Sequence, residues 1–452
     1  MSTLKKLQLI ADKFWNNKYF IFFNVLLSVV GLVLNQALLC MFLILAETVF
    51  LLLFCDDLLS IAFPLFAIFL TSTEYFKDYS VLAPYMWYAI APFAAALIFQ
   101  LIYYRKPFVK GRFLHPMIAV SAALLLGGVG TIKVEDYFLP FSLYYTLGLG
   151  VGMTAIYCIS VSRLQNERSY DRGERLSAII YAAGILAVLI LLVFYLHNFA
   201  KFLSKGSVLF YKPRNYLCTV IFLTMPQCCR YIKKNNLHLL VMAAMFGALF
   251  MSGSRSGLLI GAIVLVICAA YVYATNKESR KLYNILILVV AVFTVIVAFK
   301  FAPDVYDYLY SYRADEFDGK FISSNETRVK YIQLGLQDFK EHPLFGIGLG
   351  NLAHIKVFKA FFTGCIVFYH NCVIQVIGSM GLVGIAAYLW QVSNRVKLMW
   401  QTRKSDMFVF SLSYVGMLLM SLVNPGIFCP FPNAAAITLI FAVMEQEQKK
   451  LN

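Results

Sequence analysis

The side chains best suited to chemistry are two arginines and one histidine, each predicted to lie at one end of a helix. Arg255 sits in the segment Ser252-Gly-Ser-Arg-Ser-Gly257, between two long apolar stretches. Its small neighbours leave room for a ligand to reach the guanidinium, and the amides at a helix start point toward a bound anion. This pattern favours a phosphate site at Arg255; the alternative is an arginine that extends to lipid headgroups.

His370, in Tyr369-His-Asn-Cys372, opens a later apolar stretch. The positive end of a helix dipole favours the neutral imidazole, which is the form that can accept a proton. The position suits a general base, although a histidine in such a position, taken alone, more often caps its helix at the membrane interface. Arg328 begins a polar helix, where it could equally form a salt bridge with Glu326 or Asp338.

The elements that must position these residues are transmembrane helices. The chain has 452 residues, of which 61% are apolar and 14% charged, and its mean hydropathy is +0.73. Apolar stretches of about 16 to 24 residues, long enough to cross a bilayer, alternate with short polar clusters. These features predict an all-α integral membrane protein with about 14 transmembrane helices, within a range of about 12 to 14.

The spans divide the chain into three regions. Residues 1–302 are predicted to form a membrane bundle of eleven spans, and residues 370–452 to form the last three spans and a short cytoplasmic tail. Residues 303–369 form the longest polar stretch and are predicted to be one large extracytoplasmic loop with catalytic and donor-binding elements. Loops of this length in compact proteins usually carry function.

The charge distribution sets the orientation. Lysine and arginine are enriched on the cytoplasmic side of membrane proteins. In this chain the basic residues concentrate in segments that the predicted spans place on the same side of the membrane. These segments are 5–18, 105–112, 163–175, 230–234, 277–281, 395–404 and 449–450. Both termini are therefore predicted to be cytoplasmic, and the net charge of +16 requires no nucleic-acid partner.

The long loop is predicted to contain an amphipathic helix that lies on the bilayer. Ser323 and Glu326 have the spacing of a capping box, and apolar residues follow at helical intervals until Pro343: Val329, Ile332, Leu336 and Phe339. The segment Phe345-Gly-Ile-Gly-Leu-Gly-Asn351 follows no strand of a βαβ unit, which excludes a dinucleotide-binding loop. A tight turn that returns the loop helix toward His370 is the simpler use of its glycines.

Taken together, these pieces resemble the O-antigen ligase and O-antigen polymerase superfamily. The resemblance rests on Leu249-Phe-Met-Ser-Gly-Ser-Arg-Ser-Gly-Leu258, on Glu326-Thr-Arg328 leading into Asp338-Phe-Lys-Glu-His-Pro-Leu-Phe-Gly-Ile-Gly-Leu-Gly-Asn351, and on His370-Asn371. It covers roughly residues 240 to 390, and the first 200 residues match only as a run of apolar helices. The combination of pieces in this order is much more specific than any single piece.

The resemblance implies a bacterial enzyme in the cytoplasmic (inner) membrane whose active site faces the periplasm. It implies transfer of a glycan from a polyprenyl diphosphate carrier to a glycan or lipid-core acceptor, with Arg255 and Arg328 on the carrier diphosphate and His370 activating the acceptor hydroxyl. Because diphosphate is a good leaving group, we expect an inverting, metal-independent glycosyltransferase without a cofactor. Membrane lipid and other envelope polysaccharide assembly proteins are the further partners expected.

Two more basic residues, Lys212 and Arg214, are predicted on the outer face and could extend the diphosphate site; a basic turn at the interface is the alternative. The sequence leaves several functions open: a polymerase of repeat units, slightly preferred from the span count, an O-antigen ligase, or a protein O-oligosaccharyltransferase. A polysaccharide or lipid transporter is the alternative of another class. Glu47 is the only acidic residue well inside a predicted span, where transporters usually place several ionisable groups.

Overall fold

This computed structural model describes residues 3–75, 79–133, 138, 140–164, 170–200, 214–285, 288, 314–317, 320–351, 368–424, 426–428 and 431–451. Their α-helices, in chain order, are α1 (Thr3–Asn16), α2 (Phe20–Val33), α3 (Ala37–Phe54), α4 (Ala62–Ser72), α5 (Met86–Tyr103), α6 (Leu114–Gly130), α7 (Pro140–Leu147), α8 (Met153–Arg163), α9 (Arg172–His197), α10 (Arg214–Thr224), α11 (Cys228–Ile232), α12 (His238–Met251), α13 (Arg255–Thr275), α14 (Ser324–Glu341), α15 (Cys372–Gln401), α16 (Phe408–Ser421) and α17 (Phe431–Leu451). A single π-helical turn, Gly148–Gly152, joins α7 to α8.

Within the described residues, seven helical segments are long and apolar enough to cross a membrane, or eight if the bent pair α1 and α2 is one span. Shorter apolar helices are α6, α12 and α16. An all-helical integral membrane architecture is therefore supported. The count of fourteen stays a prediction, since most of the expected span at 282–302 lies outside the described residues.

The long loop contains a short β-hairpin in addition to its helix. Two short strands, β1 (Ala314–Phe317) and β2 (Lys320–Ser323), pair antiparallel with Ala314 opposite Ser323. The polar and glycine-containing sequence between the apolar spans gave no clear alternation from which this hairpin could be predicted. Residues 303–313, 318–319 and 352–367 of the predicted loop lie outside the described residues.

The chain forms two compact units. The first contains residues 1–109 and 159–254, and its central element is α9, against which α2, α4, α10 and α12 pack. Asp171 caps this helix, since its carboxylate accepts a hydrogen bond from the Glu174 amide at 2.6 Å. Most of the apolar length of α9 is buried inside the unit, as expected of a helix surrounded by other helices.

The second unit contains residues 110–158 and 255–452, and its central element is the broken helix α15. Gly381 has φ 58° and ψ −151°, a backbone conformation outside the helical region that glycine adopts far more readily than other residues. The break leaves backbone groups of α15 without their intrahelical partners. In a membrane these groups must find partners within the protein, because lipid offers none.

The glycine-rich segment supplies those partners. The amides of Ile347 and Gly348 donate to the carbonyls of Gly378 and Ser379, both at 3.0 Å. Beyond the break, the Leu382 amide donates to the Pro343 carbonyl at 2.8 Å, and the Val383 amide donates to Leu344 at 3.1 Å. Residues 343–348 therefore form backbone hydrogen bonds on both sides of the break. We call this segment the splint.

Helix α6 holds this splint from a second side. A side chain at Gly127 would approach the Ser379 carbonyl oxygen to 2.4 Å, so this position requires glycine for close packing on α15. The Asn351 amide group donates to Thr131 Oγ1 at 2.9 Å, and Thr131 Oγ1 donates to the Ile347 carbonyl at 2.9 Å. The end of α6, the glycine-rich segment and the break in α15 thus form one packed structure.

The loop helix is confirmed as α14, which begins at Ser324 and ends at Glu341. Its predicted apolar stripe is not the face that packs against the protein: Val329 is 52% and Leu336 42% exposed. The buried positions are Tyr331, Gly335 and Asp338, which follow one another on the helix face that meets α15. The exposed apolar stripe is thereby left on the opposite side, where the sequence predicts the bilayer.

We expect Gly346→Ala to destabilise the second unit. Gly346 has φ 65°, and a Cβ there would lie 2.3 Å from the Ser379 carbonyl carbon. Left-handed backbone strain and overpacking together should lower the free energy of unfolding by about 2 kcal/mol or more. Thermal denaturation of the purified protein in detergent measures the loss.

Gly130→Ala is the matched control, since nothing lies within 4 Å of a Cβ at this position of α6. Its melting temperature should equal or slightly exceed that of the wild type, because alanine favours the helix. Equal melting temperatures for both variants would show that the splint does not support the fold.

Candidate functional site

His370 occupies an unusual backbone conformation immediately before α15. Its φ is 57°, in the left-handed region that few residues other than glycine adopt, although histidine is among the more tolerant. Such strain costs about 1–3 kcal/mol and is concentrated at functional sites. The next residue, Asn371, caps α15, because its side-chain oxygen accepts from the amides of Val373 at 2.9 Å and Ile374 at 3.1 Å. His370 is therefore held just outside the positive end of the helix.

Two side chains from distant segments orient the imidazole. The Tyr331 ring of α14 lies with its centroid 5.2 Å from that of His370, and Asn424 Oδ1 lies 3.3 Å from His370 Nδ1. With the Asn424 oxygen as acceptor, Nδ1 carries the proton and Nε2 keeps the lone pair. This tautomer of the neutral imidazole is the one that takes a proton through Nε2.

A network of buried hydrogen bonds fixes the backbone beside His370. The Tyr369 hydroxyl donates to Asp338 Oδ2 of α14, and the Tyr369 amide donates to Gln375 Oε1 at 2.9 Å. Gln375 in turn donates through Nε2 to Ser379 Oγ at 2.7 Å. Because Ser379 adjoins the helix break, the network connects the position of His370 to the splinted part of α15.

Arg328 lies on the same side of α14 as the ring that contacts His370. It precedes Tyr331 by three residues, and residues at this spacing are neighbours on a helix surface. Arg328 itself is half-buried. The structure therefore brings Arg328 within one helical turn of the ring against which the imidazole rests.

Arg255 is the first residue of α13, which packs on α16. The Tyr271 and Phe408 rings lie 5.5 Å apart, so the late part of α13 meets the start of α16 and the two helices run antiparallel. Sixteen residues separate Arg255 from Tyr271, and sixteen separate Phe408 from Asn424, a distance of about 24 Å along a helix in each case. Arg255 and Asn424 thus lie at similar distances along the chain from the contact between the two rings.

The two other predicted basic residues belong to the first unit or lie outside the described residues. Arg214 is the first residue of α10, and it is half-buried. The adjacent Asn215 accepts a hydrogen bond from Ser254 Oγ at 2.9 Å, which fixes the start of α10 against the turn between α12 and α13. Lys212 lies outside the described residues.

Sequence reasoning missed three residues that position His370. Asn424 is separated from it by a complete pair of helices, and its only signal is a polar residue before Pro425 between two apolar stretches. Tyr331 and Asp338 share a helix face with Gly335. The glycine at the centre of this face was the sequence signal that another helix packs closely against it.

The comparison with known families matches the region that contains this geometry. Residues 240–389 match the family model described as Wzy_C, O-antigen ligase. Residues 240–389 are therefore similar to O-antigen ligases, and we call this matched region the O-antigen ligase domain. This confirms the resemblance predicted from the sequence, and the domain contains Arg255, Arg328 and His370 but not Asn424, Arg214 or Lys212. No match was found among curated proteins.

The similarity of residues 240–389 to O-antigen ligases implies glycan transfer of that general type, with a lipid-linked glycan as substrate. Together with the candidate spans, it supports a multi-pass protein of the inner membrane.

Outside the O-antigen ligase domain, the ligand atoms of Asp12, Cys55 and Asp56 lie within 4.8 Å of one another in the first unit. Acidic groups often lie this close without binding an ion, so we assign no metal to them.

We expect Tyr369→Phe to weaken the O-antigen ligase domain and Asp338→Asn to weaken it less. Asp338 is 2% exposed, and loss of the tyrosine hydroxyl removes a hydrogen bond from this buried carboxylate, at a cost of about 1–3 kcal/mol. Asparagine retains an oxygen that accepts from Tyr369. Thermal denaturation should therefore give the lower melting temperature for Tyr369→Phe; the reverse order would contradict a stabilising role for this bond.

Proposed function

We propose that the protein transfers a glycan from a polyprenyl (undecaprenyl) diphosphate carrier to an acceptor hydroxyl on the outer face of the cytoplasmic membrane. The observation that carries the proposal is the placement of His370 in the O-antigen ligase domain: a strained backbone, an oriented imidazole and an arginine one turn from its supporting ring. A base beside cationic groups suits the reaction of a hydroxyl with a diphosphate ester.

In the proposed reaction, the acceptor oxygen forms a bond with the anomeric carbon of the donor as the bond from that carbon to the diphosphate oxygen breaks. The hydroxyl proton passes to Nε2 of His370, and the leaving diphosphate takes the electron pair. Arg255 and Arg328 stabilise the negative charge that develops on the phosphates. Lys212 and Arg214 extend the basic surface toward the second phosphate or an acidic sugar.

A single direct displacement inverts the configuration at the anomeric carbon. The arginines and the histidine supply charge neutralisation and proton transfer, so the proposed mechanism is metal-independent. The acceptor is a glycan on a second carrier if the protein polymerises repeat units of O-antigen or capsule, which is the activity we propose. The expected excess of spans over the roughly twelve associated with ligases by resemblance favours it.

Two further acceptors are compatible with the same donor site: a lipid core, which would make the protein an O-antigen ligase, and a protein hydroxyl. A transporter is the alternative of another class. The intramembrane Glu47 accepts a hydrogen bond from Asn24 Nδ2 at 2.7 Å, so this acidic group is paired within the first unit. Paired intramembrane polar groups are compatible with a structural role as well as with transport.

We expect the site variants to reach the membrane and lose glycan transfer. His370→Ala should lower transfer by about 10²- to 10⁴-fold, the usual contribution of general base catalysis. Arg255→Ala and Arg328→Ala should each lower it by about tenfold or more, because a charge-assisted hydrogen bond to phosphate contributes about 1.5–3 kcal/mol. The assay is surface polysaccharide in a strain that lacks the native gene and carries each variant.

Two controls keep this test specific. Arg280 lies on the predicted cytoplasmic side and packs on Tyr273, so Arg280→Ala should retain transfer. Tyr331→Phe keeps the ring beside His370 and should retain most activity. Full transfer by all three site variants would contradict the proposal and favour the transporter. If the wild type is active, long-chain products indicate a polymerase, and single additions to a lipid core indicate a ligase.

A further inference from the structure

The second unit contains a cavity that the proposed transfer reaction does not use. It has a volume of about 50 Å³ and lies between α6, the start of α8, α15 and α17. Its walls include Leu149 of the π-helical turn, Met153 and Phe428, and its polar lining includes Tyr388, Gln391 and Arg395 of α15. A π-helical turn often marks a functional position in a helix.

This cavity is remote from His370 along α15. Arg395 follows Cys372 by 23 residues, and the 14 residues beyond the break at Gly381 correspond to about 21 Å of helix. Arg395 opens the basic segment 395–404, which the charge distribution places at the membrane boundary opposite to His370. The predicted orientation makes that boundary the cytoplasmic one.

The Arg395 guanidinium lies in the cavity wall and contacts two aromatic rings. Its guanidinium lies 5.1 Å from the ring centroid of Tyr414 and 5.0 Å from that of Phe441, and Nη1 donates to the Tyr414 hydroxyl at 3.2 Å. Among the described residues, no carboxylate forms an ion pair with it. Its positive charge is thus balanced only by ring faces, which leaves most of its N–H donors for a ligand.

Two further polar groups of the cavity have unused hydrogen-bonding capacity. Gln391 is 5% exposed, and within the described residues neither its carboxamide nor the Tyr388 hydroxyl forms a hydrogen bond. Polar groups in such surroundings are nearly always paired with protein, water or ligand. Residues 388, 391 and 395 lie on one face of α15, so their polar groups converge on the same space.

The chemistry of these groups selects an anion with several acceptor oxygens. Arginine binds phosphate through parallel N–H bonds, and the amide and hydroxyl groups add neutral donors. A water molecule needs about 10–15 Å³ of such space, so the cavity holds three to five water-sized groups, enough for one phosphate group. The apolar residues Met117, Val120 and Ile437 complete the wall around this space.

We propose that this cavity binds the phosphate group of an anionic phospholipid through Arg395, Gln391 and Tyr388, at the end of α15 opposite to the transfer site. The binding is a separate function from glycan transfer and does not depend on the identity of the acceptor. A free phosphate offers the same oxygens and lacks only the hydrocarbon chains.

The test uses the purified full-length protein and phosphatidylglycerol, with retention of lipid measured by native mass spectrometry over a concentration series. Arg395→Gln should weaken binding by about ten- to hundredfold, the loss expected for a charge-assisted hydrogen bond. Arg403→Gln is the matched control: Arg403 is an exposed arginine near the same end of α15, stacked on Trp400 at 4.1 Å, and should bind within about twofold of wild type.

A second variant distinguishes loss of lipid binding from a folding defect in Arg395→Gln. Gln391→Glu changes no volume but adds a carboxylate beside the arginine, so lipid binding should fall while the melting temperature is retained. Inorganic phosphate is the competitor: failure to displace the lipid supports a lipid site, and full displacement at millimolar concentration supports a site for free phosphate. Equal lipid binding by wild type, Arg395→Gln and Gln391→Glu would overturn the proposal.

Discussion

The break of α15 at Gly381 is the constraint on which the second unit depends. A helix that opens inside a membrane protein leaves amides and carbonyls that lipid cannot satisfy. Here the segment from Pro343 to Gly348 provides the missing partners on both sides of the break. Close packing of α6 at Gly127 then holds that segment in place. The chain between α14 and α15 is thereby fixed at one end by backbone hydrogen bonds rather than by side-chain packing alone.

The same arrangement determines where the reactive groups lie. Since the splint follows α14 directly, the helix must turn back onto α15, and its Tyr331–Gly335–Asp338 face packs there. Tyr331 and Asp338 then meet His370 and Tyr369 at the start of α15. Asn424 approaches from the end of α16. The strained backbone of His370 is thus maintained by contacts from three separate segments, as expected where strain serves a function.

The helix boundaries and the short motifs could be predicted from the sequence. The capping box and Pro343 bounded α14 within two residues, and the motifs around Arg255, Arg328 and His370 located the O-antigen ligase domain. The face of α14 that packs on α15 was not predicted; it is centred on Gly335, which lies against Ile374 and permits the close approach. The splint and Asn424 depend on contacts between distant segments, for which a single sequence carries no local signal.

The central claim is that His370 acts on the acceptor proton rather than on donor binding. Purified wild type and His370→Ala in lipid nanodiscs, given a polyprenyl diphosphate-linked glycan and an acceptor, allow donor affinity and the single-turnover rate constant to be measured separately. The account predicts equal donor affinity and a rate constant lower by about two orders of magnitude or more. An unchanged rate constant, or a loss of activity explained entirely by weaker donor binding, would contradict it.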